Sequence, residues 1–166
     1  LAGLPLGIAV IGATGSVGTA VLDVCRAHPD RFPVVALAAS RNVSRMAALA
    51  AEFKPPFLAM SDPGAARELA LHVPATTKVL SGLESLEKLV LLPETGHAVF
   101  ASSGTSAIPA LISSLKCGKT VSLANKESLV IAGPWVMPLV QGREQLRPLD
   151  SEHNAVWQCL AGERKG

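Results

Sequence analysis

Short apolar runs alternate along the whole chain with stretches in which apolar residues recur every three or four positions. Gly7 to Ile11 is continuously apolar, as a strand covered on both faces would be. Val17, Val21, Leu22 and Cys25 then fall at helical spacing between Val17 and Arg26, and Pro29 ends that helix. Val34 to Leu37 predicts a second strand. Val43 to Phe53 predicts a second helix, with Asn42 as its N-cap and Pro55-Pro56 as its break. Phe57 to Met60 predicts a third strand. Asp62-Pro63 opens a further helix, with the acid as cap and the proline in the first turn. The same logic gives a short strand at Val79-Leu80, a helix over Leu83 to Leu91 and a strand over Ala98 to Ala101. A helix over Ser106 to Leu115 follows, closed by Gly118, then a buried strand over Thr120 to Ala124. After Val140 the chain turns polar through Gln141 to Gln145, as a linker or domain edge would. Leu146 to Leu149 predicts one more strand, and Asn154 to Leu160 a last helix.

Strands alternating with helices imply parallel pairing through helical crossovers. The expected class is therefore α/β: a doubly wound, Rossmann-like, mostly parallel sheet with helices on both faces. The chain of 166 residues can bury one good core, and a second full domain would not fit. With four Phe, two Trp and no Tyr, that core must be aliphatic. The net charge of +2 is spread without a basic stripe, which gives nucleic-acid binding no support. No internal repeat or low-complexity tract is present. The three cysteines, Cys25, Cys117 and Cys159, are too widely spaced for a zinc knuckle or a disulfide framework, so a reducing compartment is expected. The apolar start, Leu1 to Ala13, lacks the basic flank of a signal peptide and runs into a glycine loop. No apolar run is long enough to span a bilayer. The first residue is not Met, so something upstream is expected to have been removed or left out.

The loop is Gly12-Ala13-Thr14-Gly15-Ser16-Val17-Gly18, with glycines at its first, fourth and seventh positions. The strict dinucleotide fingerprint has them at the first, third and sixth. The physics is shared: bare backbone admits a pyrophosphate, and the following helix N-terminus offers free N–H groups and a positive dipole end. Thr14 and Ser16 add hydroxyl donors. A tight turn that binds nothing is the blander alternative. At the end of the second strand, an acid would hold the ribose 2′-OH of NAD. The sequence there is Ala39-Ser40-Arg41-Asn42, without one. Arg41 can grip a 2′-phosphate bidentately while Ser40 and Asn42 donate to it, which points to NADPH. Alternatively, Arg41 is solvated and Asn42 only caps.

Asn125-Lys126-Glu127 follows an apolar strand directly, at the sheet edge where doubly wound folds bind ligands. A helix cap followed by a solvated ion pair fits the spacing equally well. Asp150 and Glu152 flank Ser151. In an extended segment they would share a side and offer two hard oxygens to Mg²⁺ or Mn²⁺. In a helix start, Ser151 would cap and the acids would favour the dipole, and spacing alone leans this way.

Taken together and in this order, the glycine loop, Leu123-Ala124-Asn125-Lys126-Glu127-Ser128-Leu129 and Asp150-Ser151-Glu152-His153-Asn154 resemble the 1-deoxy-D-xylulose 5-phosphate reductoisomerases. The resemblance covers nearly the whole chain, and the second and third motifs carry its specificity. It implies isomerisation of 1-deoxy-D-xylulose 5-phosphate to a branched aldehyde phosphate. NADPH then reduces this to 2-C-methyl-D-erythritol 4-phosphate, an early step of non-mevalonate isoprenoid synthesis. A divalent metal (Mg²⁺, Mn²⁺ or Co²⁺) would stabilise oxyanion charge on neighbouring substrate oxygens. By resemblance, Thr14, Gly15, Ser16 and Val17 cradle the cofactor phosphates, and Ser40, Arg41 and Asn42 hold the adenosine end. Asn125 and Glu127 lie near the nicotinamide half. Lys126, Ser151 and Glu152 meet the substrate, with Lys126 and Glu152 catalytic, and Asp150 and Glu152 bind the metal. The implied organisation is an NADPH-binding domain over residues 1–145 and the start of a metal- and substrate-binding catalytic domain over 146–166. A homodimer at full length is implied, in the bacterial cytoplasm or a plastid stroma, with no nucleic-acid or membrane partner.

Ser40 stands where the family often has Gly, and Ala101-Ser102-Ser103-Gly104 is richer in Ser than the family's Ala/Gly segment. Family chains are also considerably longer and carry a third metal carboxylate and a substrate-covering loop, so this chain is expected to bind NADPH without turnover. Two rivals remain. A semialdehyde dehydrogenase would need a nucleophilic Cys in a loop, and the three cysteines fall in or at the end of predicted helices. A non-catalytic NADPH-binding module would have no use for Asp150 and Glu152. A short-chain dehydrogenase is excluded by the absence of Tyr.

Overall fold

The computed structural model describes residues 5–161. Seven strands make one sheet: β1 (Ile8–Ile11), β2 (Val34–Ala39), β3 (Phe57–Met60), β4 (Lys78–Ser81), β5 (His97–Phe100), β6 (Thr120–Leu123) and β7 (Leu146–Pro148). Their order is β4-β3-β2-β1-β5-β6-β7, and every neighbouring pair is parallel, so the expected mostly parallel sheet is parallel throughout. The crossovers are α1 (Ser16–Ala27), α2 (Val43–Phe53), α3 (Pro63–Ala70), α4 (Glu84–Val90), α5 (Ile108–Lys116) and α6 (Lys126–Val136), and α7 (Ser151–Ala161) follows β7.

Strand alternation divides the core into two layers. Ile8 and Val10 face α1, α2 and α3, together with Leu37, Leu58, Met60 and Val99. Ala9 and Ile11 face α4, α5 and α6, together with Ala36, Ala38, Ala59, Ala98 and Phe100. The second face is paved with alanine from four adjacent strands. Such a smooth surface lets Leu86, Leu89 and Val90 of the short α4 sit fully buried against it. The core is aliphatic as the composition requires, with Phe100 the one aromatic among its largest fully buried side chains.

The helix caps explain where the chain turns. Asn42 Oδ1 accepts from Arg45 N at 3.0 Å and Asp62 Oδ1 from Ala65 N at 2.9 Å, as their sequence positions predict. Lys54 closes α2 in the left-handed region at φ 48°, just before Pro55-Pro56. Two helices start elsewhere than the apolar spacing suggests. α5 begins at Ile108, not Ser106, because residues 104–107 turn through Gly104 at φ +79° and Pro109 then fits the first helical turn. α7 begins at Ser151, not Asn154, because Asp150 caps it: its Oδ1 accepts from His153 N at 3.0 Å. Ser151 is therefore not the cap, and the segment is not extended through Glu152.

The polar run Gln141 to Gln145 leads into β7. Gln145 is buried there, with Nε2 donating to Leu115 O at 2.9 Å and Oε1 accepting from Gln141 N at 2.6 Å. α7 buries none of its residues. It is tied by Asn154 Nδ2 donating to Pro148 O at 2.7 Å and by Arg143, which donates to the carbonyls of Trp157 and Leu160.

Candidate functional site

Strand order reverses between β1 and β5, so the loops leaving these two strands diverge at their carboxyl ends. A cavity of about 500 Å³ opens there. One wall is the glycine loop, through Gly12, Thr14, Gly15 and Ser16, and the other is Ala101, Ser102, Ser103 and Ser106 after β5. Ser40 and Ser61, from the ends of β2 and β3, line the same space.

The three loop glycines answer three different demands. Gly12 sits at φ +93°, and a Cβ there would lie 2.5 Å from Ser102 N, inside the neighbouring loop. A Cβ on Gly18 would lie 2.3 Å from Gly12 O and 2.8 Å from Ala13 Cα, so this glycine lets α1 pack on its own loop. Gly15 is different. Its backbone is extended, at φ −83° and ψ 173°, and a Cβ would come no nearer than 3.5 Å to Gly12 O. Nothing within the chain requires glycine at this position, which faces the cavity. Gly15 is also the N-cap of α1 and supplies no side-chain cap. The first N–H groups of α1 therefore have no side-chain acceptor, whereas Asn42, Asp62 and Asn125 serve α2, α3 and α6. An uncapped helix start with bare backbone at its mouth fits a bound phosphate group.

Thr14, Gly15, Ser16 and Ser40 thus meet in one cavity. Val17 stands beside it on the first turn of α1, with 36% of its surface exposed. Asn42 spends its side-chain oxygen on the α2 cap. Arg41 follows β2, the strand next to β1, and its side chain is 82% exposed. Its Nε lies 3.4 Å from Asp62 Oδ2. Asp62 is fixed there by its own cap, and its N–H donates to Ser40 O at 3.3 Å. The cap bond from Ala65 N, with Arg41 beside it, holds the Asp62 carboxyl below the usual carboxylate range. The end of β2 has no acid in sequence, but the end of β3 brings one.

Serines missed by sequence reasoning also line the cavity: Ser61, Ser102, Ser103 and Ser106. The Ser-rich departure at 101–104 was visible, but only the fold shows it opposite the glycine loop. The Ser102 Oγ is buried without a hydrogen-bond partner, an unmet donor in the cavity wall.

A second cavity, of about 330 Å³, lies at the ends of β6 and β7. Lys126, Asp150 and His153 line it with Leu123, Leu129 and Pro148. Asn125 is buried, with its Oδ1 capping α6 through Ser128 N at 3.1 Å. Its Nδ2 donates to Ser102 O at 3.0 Å and also to Gly104 O. Asn125 therefore caps as its spacing allows, and also ties the serine loop of the first cavity to the helix bordering the second. Glu127 is exposed on the first turn of α6.

The Asp150 carboxylate accepts from His153 N and lies 2.8 Å from His153 Nδ1, and these contacts lower its pKa. Glu152 accepts from Ser151 Oγ at 2.9 Å. Its pKa is lowered by its own backbone N–H, then by Ser151 and the charge of Lys126, against opposing pushes from desolvation and Asp150. Both acids are therefore anionic at neutral pH. Their donor type suits a hard divalent cation, and Glu152 and Ser151 lie exposed at the open end of α7. Among the described residues, no group of three or more His, Cys, Asp or Glu gathers into a metal cluster.

The family model for 1-deoxy-D-xylulose 5-phosphate reductoisomerase matches residues 8–133. The 1-deoxy-D-xylulose 5-phosphate reductoisomerase of Nitrosococcus oceani is 40% identical over 162 residues, which cover 95% of this chain and 41% of that one. The Zymomonas mobilis reductoisomerase, solved in complex with NADPH, superposes with a TM-score of 0.88 at 34% identity, covering 95% of this chain and 42% of that one. A DOX-P reductoisomerase solved with NADPH, fosmidomycin and magnesium gives 0.85 at 34% identity, covering 93% and 38%. This chain thus spans about 40% of the length of the relatives it matches. The glycine loop, the Asn125 motif and the first six parallel strands fall within the matched span, and the chain belongs to the 1-deoxy-D-xylulose 5-phosphate reductoisomerase family.

Proposed function

We propose that this chain binds NADPH in the cavity between the β1 and β5 loops and carries the first metal- and substrate-binding residues of a reductoisomerase. The observation that carries this reading is Gly15, a glycine without a steric reason in the fold, placed at the uncapped start of α1 and facing the cavity. Thr14, Gly15, Ser16 and Val17 surround the diphosphate with backbone N–H groups and hydroxyls. Ser40, Arg41 and Asn42 take the adenosine end, and Asn125 and Glu127 border the nicotinamide half. Residues 1–145 form the NADPH-binding domain and 146–166 lead into the catalytic domain, although β7 still belongs to the sheet.

In the full-length protein, Lys126, Ser151 and Glu152 contact 1-deoxy-D-xylulose 5-phosphate, and Lys126 and Glu152 act on it. Asp150 and Glu152 hold the divalent cation (Mg²⁺, Mn²⁺ or Co²⁺), which when bound stabilises negative charge on substrate oxygens during rearrangement. Lys126 lines the same cavity as Asp150, so it can balance substrate phosphate or oxyanion charge beside the metal acids. The overall reaction is isomerisation and NADPH-dependent reduction to 2-C-methyl-D-erythritol 4-phosphate. The full-length enzyme works as a homodimer in the bacterial cytoplasm or plastid stroma. In the described residues no helix is long and apolar enough to cross a membrane.

The test is a fluorescence titration of the 166-residue chain with NADPH and NADH, with and without Mn²⁺, followed by a turnover assay. Saturable, NADPH-selective binding and no product are expected. Absence of NADPH binding would refute the cofactor reading, and product formation would refute the view that catalysis needs more chain.

A further inference from the structure

Selection of a 2′-phosphate needs net positive charge where the phosphate docks, and Arg41 does not supply it alone. Its guanidinium is paired at 3.4 Å with Asp62, which is fixed as the α3 cap and cannot swing away without uncapping that helix. The pair is neutral overall. An acid beside the adenosine ribose would itself favour the 2′-OH of NADH.

A second guanidinium stands close by. Arg45 lies in the first turn of α2, and its backbone N–H bonds to Asn42 Oδ1 at 3.0 Å. Its Nη2 donates to Thr19 Oγ1 at 2.7 Å, and Thr19 Oγ1 donates to Gly15 O at 2.8 Å. This relay holds the Arg45 guanidinium across the gap between the starts of α1 and α2, next to the residues that open the cavity. Among the described residues, no carboxylate lies within 4.0 Å of Arg45, unlike Arg41. Its charge is therefore uncompensated, and one face of a fork-shaped donor held by a single hydroxyl leaves further N–H groups for a phosphate. The positive end of the α2 dipole adds to it.

We infer that Arg45 is the second cation of the 2′-phosphate site and sets the preference for NADPH over NADH, with Arg41 balanced by Asp62. The inference rests on the cofactor reading above. It assigns a specificity role to a residue three positions beyond the Ser40-Arg41-Asn42 cluster.

The test is calorimetric titration of the 166-residue chain with 2′,5′-ADP and with 5′-AMP, which differ only in the phosphate at issue. Arg45→Gln should weaken 2′,5′-ADP by about tenfold or more, the size of one lost charge-assisted hydrogen bond, and leave 5′-AMP unchanged. Arg45→Lys, which keeps the charge, should recover part of the loss. Both variants are exposed-site changes, and a thermal melt confirms that they fold. Unchanged 2′,5′-ADP affinity in Arg45→Gln would overturn the inference. So would an equal loss for both nucleotides, which would mark Arg45 as merely structural. A wild-type chain that binds neither nucleotide would bring down the cofactor reading, and this inference with it.

Discussion

Alanine at Gly15 and alanine at Gly18 should separate binding from folding. At Gly18 the added Cβ would lie 2.3 Å from Gly12 O and 2.8 Å from Ala13 Cα, both backbone atoms. α1 would have to shift away from its loop, an overpacking cost of about 1–3 kcal/mol. For a domain of this size that lowers the melting temperature by roughly 2–12 °C. At Gly15 the nearest atom is Gly12 O at 3.5 Å, and φ −83°, ψ 173° suits any residue. Ala is a poorer N-cap than Gly by up to about 1 kcal/mol. It recovers about 0.4–1 kcal/mol by restricting the unfolded chain, so stability should change by less than about 1 kcal/mol. A methyl group at the mouth of α1 nevertheless stands where a diphosphate would meet the first N–H groups. Losing one bond to a charged acceptor costs about 1.5–3 kcal/mol, at least tenfold in NADPH affinity. Thermal melts and NADPH fluorescence titrations of both variants decide the matter. Gly15→Ala with wild-type affinity would refute the assignment of this cavity. Gly15→Ala melting as low as Gly18→Ala would refute the claim that the fold does not need this glycine.

Three further outcomes follow from other groups. Ser102→Ala removes a buried hydroxyl without a partner, so the free chain should be as stable or about 1 kcal/mol more stable, while NADPH binds more weakly; paired melts and titrations check both halves. Asp150→Asn should abolish metal-dependent turnover in a full-length protein carrying this sequence and leave NADPH affinity nearly intact, and unchanged turnover would count against the metal role. His97 is buried, and burial, with the charge of Arg147, lowers its pKa from 6.5 to about 4. Because the unfolded chain binds the proton more readily, this stability is complete above pH 6.5 and is lost as pH falls toward 4. The loss is on the order of 3 kcal/mol, so urea midpoints should fall between pH 7 and pH 4.5 in the wild type and much less in His97→Gln.

The His97 site also shows what a sequence can and cannot reveal. Its place in an apolar run marks a strand, but its partners come from the next strand. Thr120 Oγ1 lies 2.7 Å from Nδ1 and donates to Gly96 O at 3.1 Å, so Nδ1 carries the proton, and Ser122 Oγ, at 2.9 Å, donates to Nε2. Cross-strand register decides this, and register is not written locally. The same division runs through the candidate site. The glycine loop and the caps at Asn42 and Asp62 were legible because each depends on backbone within a few residues. Spacing alone leans to Ser151 as the α7 cap, whereas Asp150 supplies it, a choice between neighbours that spacing cannot settle. The Ser-rich stretch at 102–103 is visible in the sequence, but its place in a wall with Ser61 is not, because that wall assembles from the ends of β3 and β5.

Asp62 carries this furthest. As a local feature it is an ordinary N-cap, and the sequence reading used it only as that. Parallel pairing of β2 with β3 places the end of β3 beside the end of β2, so the cap becomes the counter-charge of Arg41. The absence of an acid at the end of β2 therefore does not by itself leave the ribose end free of negative charge, since the acid arrives one strand over. On the inference above, coenzyme choice depends on the sum of three charges, Arg41 and Arg45 after β2 and Asp62 after β3. That sum is positive only because the Arg45 guanidinium is held by a hydroxyl and not by a carboxylate.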